Sequence, residues 1–156
     1  MRRKDREKDT SFAFEIIRDC TYATLATTNL DGTPYCIPIS PVLKDNTIYF
    51  HCALEGKKLV NIAHNNAVCI SGVRQTKLVP EKFTTEFESA IAFGHCVMVQ
   101  DDAEKIMALR LICEKYAAEN LDEFENAIKR SLTRTGIGKI EITNITGKAN
   151  IYQQSN

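Results

Sequence analysis

The chain has no tryptophan, no excess of either charge and no long apolar run. Lys plus Arg number 20 and Asp plus Glu number 20, so the formal net charge is zero. That balance disfavours a broad nucleic-acid or anionic-membrane surface. No apolar stretch approaches the roughly 20 residues of a membrane span. The start, MRRKDREKDTSFAF, is charged and lacks the apolar core and small-residue cleavage site of a secretory signal. The expected address is therefore the cytoplasm. There is no G-x-G-x-x-G and no G-x-x-x-x-G-K-[ST], which removes support for dinucleotide-type Rossmann binding and P-loop chemistry. The cysteines at 20, 36, 52, 69, 96 and 113 form no C-x-x-C pair. A chain of this length does not need disulfides, so six reduced thiols are expected, mostly as core filler. His51-Cys52 and His95-Cys96 repeat a dipeptide, but adjacent strand residues face opposite ways. Each pair offers one metal ligand at most, and no metal site is expected. Repeats, low-complexity segments and linkers are also missing, so one domain over 1–156 is expected.

What is present reads as strands first and helices later. Residues 11–19 have the spacing of a short helix with Phe12, Ile16 and Ile17 inward, following an N-terminal arm. The 21–28 segment alternates and is β-branched, hence a strand. Asn29-Leu30-Asp31-Gly32 is a turn. A second strand over 34–43 carries Pro38 and Pro41, whose missing donors suggest an edge, a bulge or a backbone that faces something else. Lys44-Asp45-Asn46 is a turn, and 47–52 is a third strand. A helix over about 56–65 turns Leu59, Ile62 and Ala63 to one side. Strand 67–73 leads into 74–85, which shows no clear period and contains Pro80. It reads as a long functional loop. Segment 86–100 is a long strand. One face carries Phe87, Ser89, Ile91, Phe93, His95, Val97 and Val99. The other carries Ala90, Ala92, Gly94, Cys96 and Met98, small enough for another chain or a flat ligand to come close. Asp101-Asp102 caps a helix over 103–118, with Ile106, Leu109, Cys113 and Tyr116 inward. A second helix over 121–133 ends near Gly136, so 101–135 is a helical pair. A final strand runs over 138–152 with a bulge near Asn144. This order predicts an α+β protein, mainly β, built on an antiparallel Greek-key-like barrel with helices packed outside.

One stretch is electrostatically odd. A helix that opens with Gly56-Lys57-Lys58 sets positive side chains beside its own positive end. An anion there would remove the conflict, because the first turn also offers unpaired N–H groups. A solvated helix start with two exposed lysines is the plainer alternative.

The run 24–72 resembles the FMN-binding split-barrel superfamily that includes pyridoxamine 5′-phosphate oxidase, and looks closest to the branch of 5-nitroimidazole resistance proteins. The matching features are Asp31-Gly32-Thr33-Pro34-Tyr35, then a Pro-rich strand, Phe50-His51-Cys52-Ala53 and Gly56-Lys57-Lys58. Ser89-Ala90-Ile91-Ala92-Phe93-Gly94 and the Glu104-Lys105 helix follow in order. The resemblance implies a split β-barrel homodimer with FMN at the subunit interface and a small-molecule substrate, and neither a nucleic-acid nor a membrane partner. By position, Pro38, Ile39, Ser40 and Pro41 would lie along the isoalloxazine. Lys58 would hold the phosphate, with Lys57 second and Gly56 at the helix start assisting. Ser89 and Ala90 would meet the flavin from the partner subunit. Thr24 and Thr27 are weaker candidates. His51 is the catalytic candidate, as donor of a hydrogen bond or proton. His64 and His95 have no such context. The implied activity is an FMN-dependent oxidoreductase acting on nitro compounds such as 5-nitroimidazoles, or on similar small electrophiles. Alternatives are a flavin- or haem-binding protein without turnover, a deazaflavin binder, a pyridoxamine-phosphate-oxidase-like enzyme and a plain dimeric module. The vitamin oxidase is disfavoured because no Arg-rich pocket is evident and the tryptophan near its C-terminus is missing here.

Overall fold

The computed structural model describes residues 2–151. Its elements are β1 (Glu7–Lys8), α1 (Thr10–Asp19), β2 (Ala23–Thr28), β3 (Pro34–Ile39), β4 (Val42–Lys44) and β5 (Thr47–Cys52). They continue with α2 (Lys57–His64), β6 (Ala67–Val79), β7 (Thr84–Met98), α3 (Asp102–Tyr116), α4 (Phe124–Ser131) and β8 (Gly136–Asn150). All strands join one antiparallel sheet in the order β3-β2-β6-β7-β8-β5-β4, with β1 added to β8. The mixed α+β class and the antiparallel sheet expected from the sequence are therefore present.

The two end strands of this sheet, β3 and β4, are neighbours in sequence. Only Ser40 and Pro41 separate them. Three Cα–Cα steps reach about 11 Å at most, so the sheet must curl until its ends nearly meet. They are joined by the chain and share no ladder. That unzipped seam is what splits the barrel. The single 34–43 strand read from sequence accordingly breaks at Ser40-Pro41, where proline has no N–H to give.

Inside the curl lies the main core. Ala13, Ile16 and Ile17 of α1 pack with Leu25, Ile48, Phe50, Ile70, Ala90, Ala92, Cys96 and Ile140. Each large side chain fully buried this way contributes about 1.5–3 kcal/mol. A second core lies under α3, where Ala108 and Ile112 meet Val42, Tyr49, Val99 and Ile137. Strand β5 thus feeds both cores, Ile48 and Phe50 on one side and Tyr49 on the other. Asp9 and Asp101 cap α1 and α3 by accepting from Phe12 N (2.8 Å) and Glu104 N (2.7 Å).

Four expectations need correction. The small face of β7 is not open to a visitor. Ala90, Ala92, Gly94 and Cys96 point into the core, and a Cβ at Gly94 would lie 2.2 Å from the Glu141 carbonyl oxygen. The exposed face is the apolar one, with Ile91, Phe93 and Val97 between 41% and 49% accessible. Residues 74–85 are not a loop. They form an arm in which Gln75–Val79 pair with Thr84–Glu88 around a turn at Pro80–Lys82. The predicted helix over 121–133 is regular only across α4, with 3₁₀ turns at Ala118–Glu123 and Leu132–Arg134. Gly136 opens β8 rather than merely ending a helix. The bulge expected near Asn144 is present, where Phe93 pairs with Asn144 but Gly94 with Ile142.

Candidate functional site

A groove of about 330 Å³ opens beside the seam, lined by Tyr22, Ile37, Pro38, Ile39, Ser40, His51 and Lys58. Three elements supply it. The end of β3 forms one wall, β5 presents His51 outward opposite Ile137 of β8, and α2 brings Lys58. His51 is exposed between buried Phe50 and Cys52, as strand alternation requires. The structure therefore brings together Pro38, Ile39, Ser40, His51 and Lys58, which come from two strands and a helix. Tyr22, 65% exposed at the groove, carries no motif and escaped the sequence reading.

The start of α2 has the character of an anion site. Gly56 has φ 130°, a region that side-chain-bearing residues rarely adopt, and nothing lies within 4 Å of where a Cβ would be. The glycine is there for conformation and leaves open space over the helix end. No side chain caps that end, and no acidic residue sits in the first turn. The Gly56 carbonyl accepts from Leu59 and Val60, at 3.0 and 3.3 Å, which begins the helix but leaves the earlier N–H groups to other acceptors. Lys58 and the groove lie on the same side. Its charge also reaches Cys52: burial raises that thiol above its ordinary range, and the Lys58 ammonium pulls it partly back. Cys52 is thus a protonated core thiol and no nucleophile at neutral pH.

Lys57 takes another direction. Its Nζ stands 5.0 Å from the centre of the Tyr35 ring, and it lines a separate groove of about 310 Å³ with Asn29, Leu30, Asp31, Val60 and Asn61. The two lysines therefore part company, and Lys58 alone faces the His51 groove.

What holds α2 in place is a polar side chain that periodicity missed. Asn61 is 1% exposed and donates to Thr27 Oγ1 (3.0 Å) and Asn29 Oδ1 (2.9 Å). Thr27 donates on to the Tyr35 carbonyl at 3.3 Å. This buried chain ties the helix to the β2–β3 hairpin, so Thr27 supports the site from behind. Ala63, expected inward, is exposed instead. Thr24 is half-buried within β2.

Other candidates fall outside the groove. Pro41 is fully buried, and its carbonyl accepts from Lys115 Nζ and Tyr116 Oη, each at 2.8 Å. It is anchored to α3 and has no free group for a ligand. Ala90 is 1% exposed in the main core, so its side chain is not available either. Ser89 is half-buried on β7, donating to the Lys148 carbonyl at 3.4 Å, away from this chain's groove. His64 lines a different groove of about 430 Å³ with α2 and Cys96–Met98, while His95 Nδ1 lies 3.3 Å from Asn66 Oδ1. Among the cysteines, Cys20, Cys52 and Cys96 are buried as expected of core filler, whereas Cys36 is exposed. Among the described residues no three His, Cys, Asp or Glu side chains cluster as a metal would need, and no helix is long and apolar enough to cross a membrane.

The family model described as pyridoxamine 5′-phosphate oxidase matches residues 9–149. No curated protein matches the chain. Among solved structures, a candidate 5-nitroimidazole antibiotic resistance protein from Bacteroides thetaiotaomicron is 26% identical with a TM-score of 0.75. The alignment covers 91% of this chain and 84% of that one. A FAD and haem binding protein from Mycobacterium smegmatis has a TM-score of 0.82 at 16% identity, over 97% of this chain and 76% of that one. A conserved hypothetical protein from Mycobacterium tuberculosis has a TM-score of 0.81 at 14% identity, over 99% and 96%. The last two likenesses show the fold alone.

Proposed function

The chain belongs to the pyridoxamine 5′-phosphate oxidase family, and from that premise we propose that it is an FMN-dependent oxidoreductase acting on nitro compounds or similar small electrophiles. The observation that carries the reading is the meeting of Lys58 and His51 in one groove whose wall is the backbone of Pro38–Ser40. The residues present fit the cofactor. An uncapped helix start, an open space over Gly56 and an ammonium suit a phosphate. Pro38–Ser40 offer a wall with a hydroxyl and backbone groups for the polar edge of a ring.

Flavin, when bound, supplies hydride transfer. The chain's own residues bind, orient and protonate. Two-electron reduction of a nitro group consumes one hydride and one proton and releases water. His51 is the groove's candidate for supplying that proton, from a ring nitrogen. Lys58 would hold the phosphate end of the cofactor. The likeness to the candidate nitroimidazole resistance protein supports the substrate class, and membership of the family supports the cofactor class. Ser89 stands outside the groove of its own chain, so its part in flavin binding requires a second copy. A homodimer belongs to the same proposal.

The test is spectroscopic. Protein as purified, or after addition of FMN, is expected to show two flavin absorption bands. A single intense Soret band would replace the reading with haem binding, and a colourless protein that ignores FMN would sink both. Lys58→Ala is expected to weaken FMN binding by roughly 1.5–3 kcal/mol, the scale of a charged hydrogen bond, in a fluorescence titration. Lys57→Ala is expected to do little. Unchanged affinity in Lys58→Ala and in the double variant would remove the phosphate from this helix end.

A further inference from the structure

The seam between β3 and β4 leaves a polar atom with no strand to pair with. Pro41 is buried, it has no N–H, and its carbonyl faces no ladder. Two donors from the last turn of α3 converge on that one oxygen, Lys115 Nζ at 2.8 Å and Tyr116 Oη at 2.8 Å. The arrangement is costly. Lys115 is half-buried, and desolvation holds its ammonium below the ordinary lysine range, with Cys20 and Asp19 partly restoring it. Among the described residues no carboxylate lies within ion-pair distance of Lys115 Nζ. A charge taken partly out of water is thus spent on a neutral carbonyl, where a surface lysine would keep its hydration. Its nitrogen also stands 5.0 Å from the centre of the Tyr116 ring, so the two donors brace each other.

What the pair holds is the residue next to the groove wall. Ser40 lines the groove and Pro41 follows it directly. The other strand at the seam, β4, begins at Val42, which packs under α3 in the second core. We propose that Lys115 and Tyr116 are positioning residues for the candidate cofactor site: by fixing the Pro41 carbonyl they set where the Pro38–Ser40 wall stands. The inference rests on the groove being the flavin site. It adds that α3, which lines no part of the groove, controls its width. With both donors gone, the carbonyl has water as its remaining partner, and the two-residue link gains freedom to swing.

The test uses the full chain and the variant Lys115→Met/Tyr116→Phe, which keeps side-chain bulk. Hydrogen exchange at the amides of Ile39, Ser40, Val42 and Leu43 is expected to accelerate by about tenfold, the worth of a net hydrogen bond, with β7–β8 amides unmoved. The FMN dissociation constant is expected to rise by a similar factor, and the visible bands of bound flavin to shift. Lys115→Arg, which still carries a donor, is expected to stay near the parent in both readouts. Unchanged exchange across the link, or FMN affinity within twofold of the parent, would overturn the proposal. If the double variant does not fold, Tyr116→Phe alone removes one hydroxyl and is expected to give about a threefold change in both. Should the parent protein take up no FMN, the flavin reading falls by itself, and the exchange measurement still decides whether the two donors hold the link.

Discussion

Single side chains in this protein do two kinds of work, holding the fold and serving the groove. Glu104 accepts from Tyr49 Oη at 2.8 Å and from Lys139 Nζ at 2.9 Å. Chiefly the Lys139 hydrogen bond, then that of Tyr49, holds its carboxyl below the ordinary 4.5. Burial, then the Glu104 contact, pushes the Tyr49 phenol up to about 12. Because the folded value lies below the unfolded one, the stabilisation is complete above the ordinary carboxylate range and fades as pH falls through the depressed value. Glu104→Gln is therefore expected to cost about 1 kcal/mol at pH 7, and clearly less near pH 3, as read from urea midpoints. His51 does the other kind of work. It is exposed at the groove, so His51→Ala is expected to leave folding and FMN binding intact and to slow nitroreduction about 10²-fold. An unchanged single-turnover rate would remove it from the chemistry. His51 was legible because a strand end and a lysine-bearing helix start frame it. Asn61 and Tyr22 were not, since a buried amide and an exposed phenol carry no period of their own.

At the level of elements, α2 offers an uncapped start for the proposed phosphate. Gly56→Ala meets no steric obstacle, yet must hold φ 130° against the preference of an L-residue. It is expected to cost about 1–3 kcal/mol, shared between stability and FMN affinity, with the split read by thermal unfolding with and without FMN. The arm of β6 and β7 shows where pattern reading fails. Beyond Val73 a register shift leaves Arg74 between α1 and β7, where it meets Asp19 of the helix at 3.0 Å and Glu88 of the strand at 2.8 Å. Past that point Gln75–Leu78 are exposed and Val79 alone of that stretch is buried, while Leu78 and Phe83 face water. A strand that buries a single side chain shows no alternation, so 74–85 looked structureless. The α3 face was read in part: Leu109 and Tyr116 pack against the second core as expected, while its buried members Ala108 and Ile112 were missed. The helix packs through Ala108 and Ile112 with larger residues flanking them, so no single apolar stripe marks its inner side.

For the whole molecule, order and spacing of motifs were enough to identify the barrel, because hairpins and a bulge are local events. The curling of β3 towards β4 was not legible, since it depends on pairings far apart in sequence. The exposed Ile91, Phe93 and Val97 on β7 form the apolar stripe that a second copy would cover in the proposed homodimer. Phe93→Lys with Val97→Lys is expected to halve the mass seen by sedimentation, from about twice 17.6 kDa to one chain, and to weaken FMN binding. A parent that sediments as one chain would refute the dimer. Strand β8 carries a further consequence. It pairs with β1, β5 and β7, yet follows all three in the chain. During synthesis, then, the edges of β5 and β7 stand open until the ribosome has delivered Gly136–Asn150. The nascent protein cannot finish its sheet vectorially, strand by strand; it must wait and close late, and that interval is when a chaperone would find it.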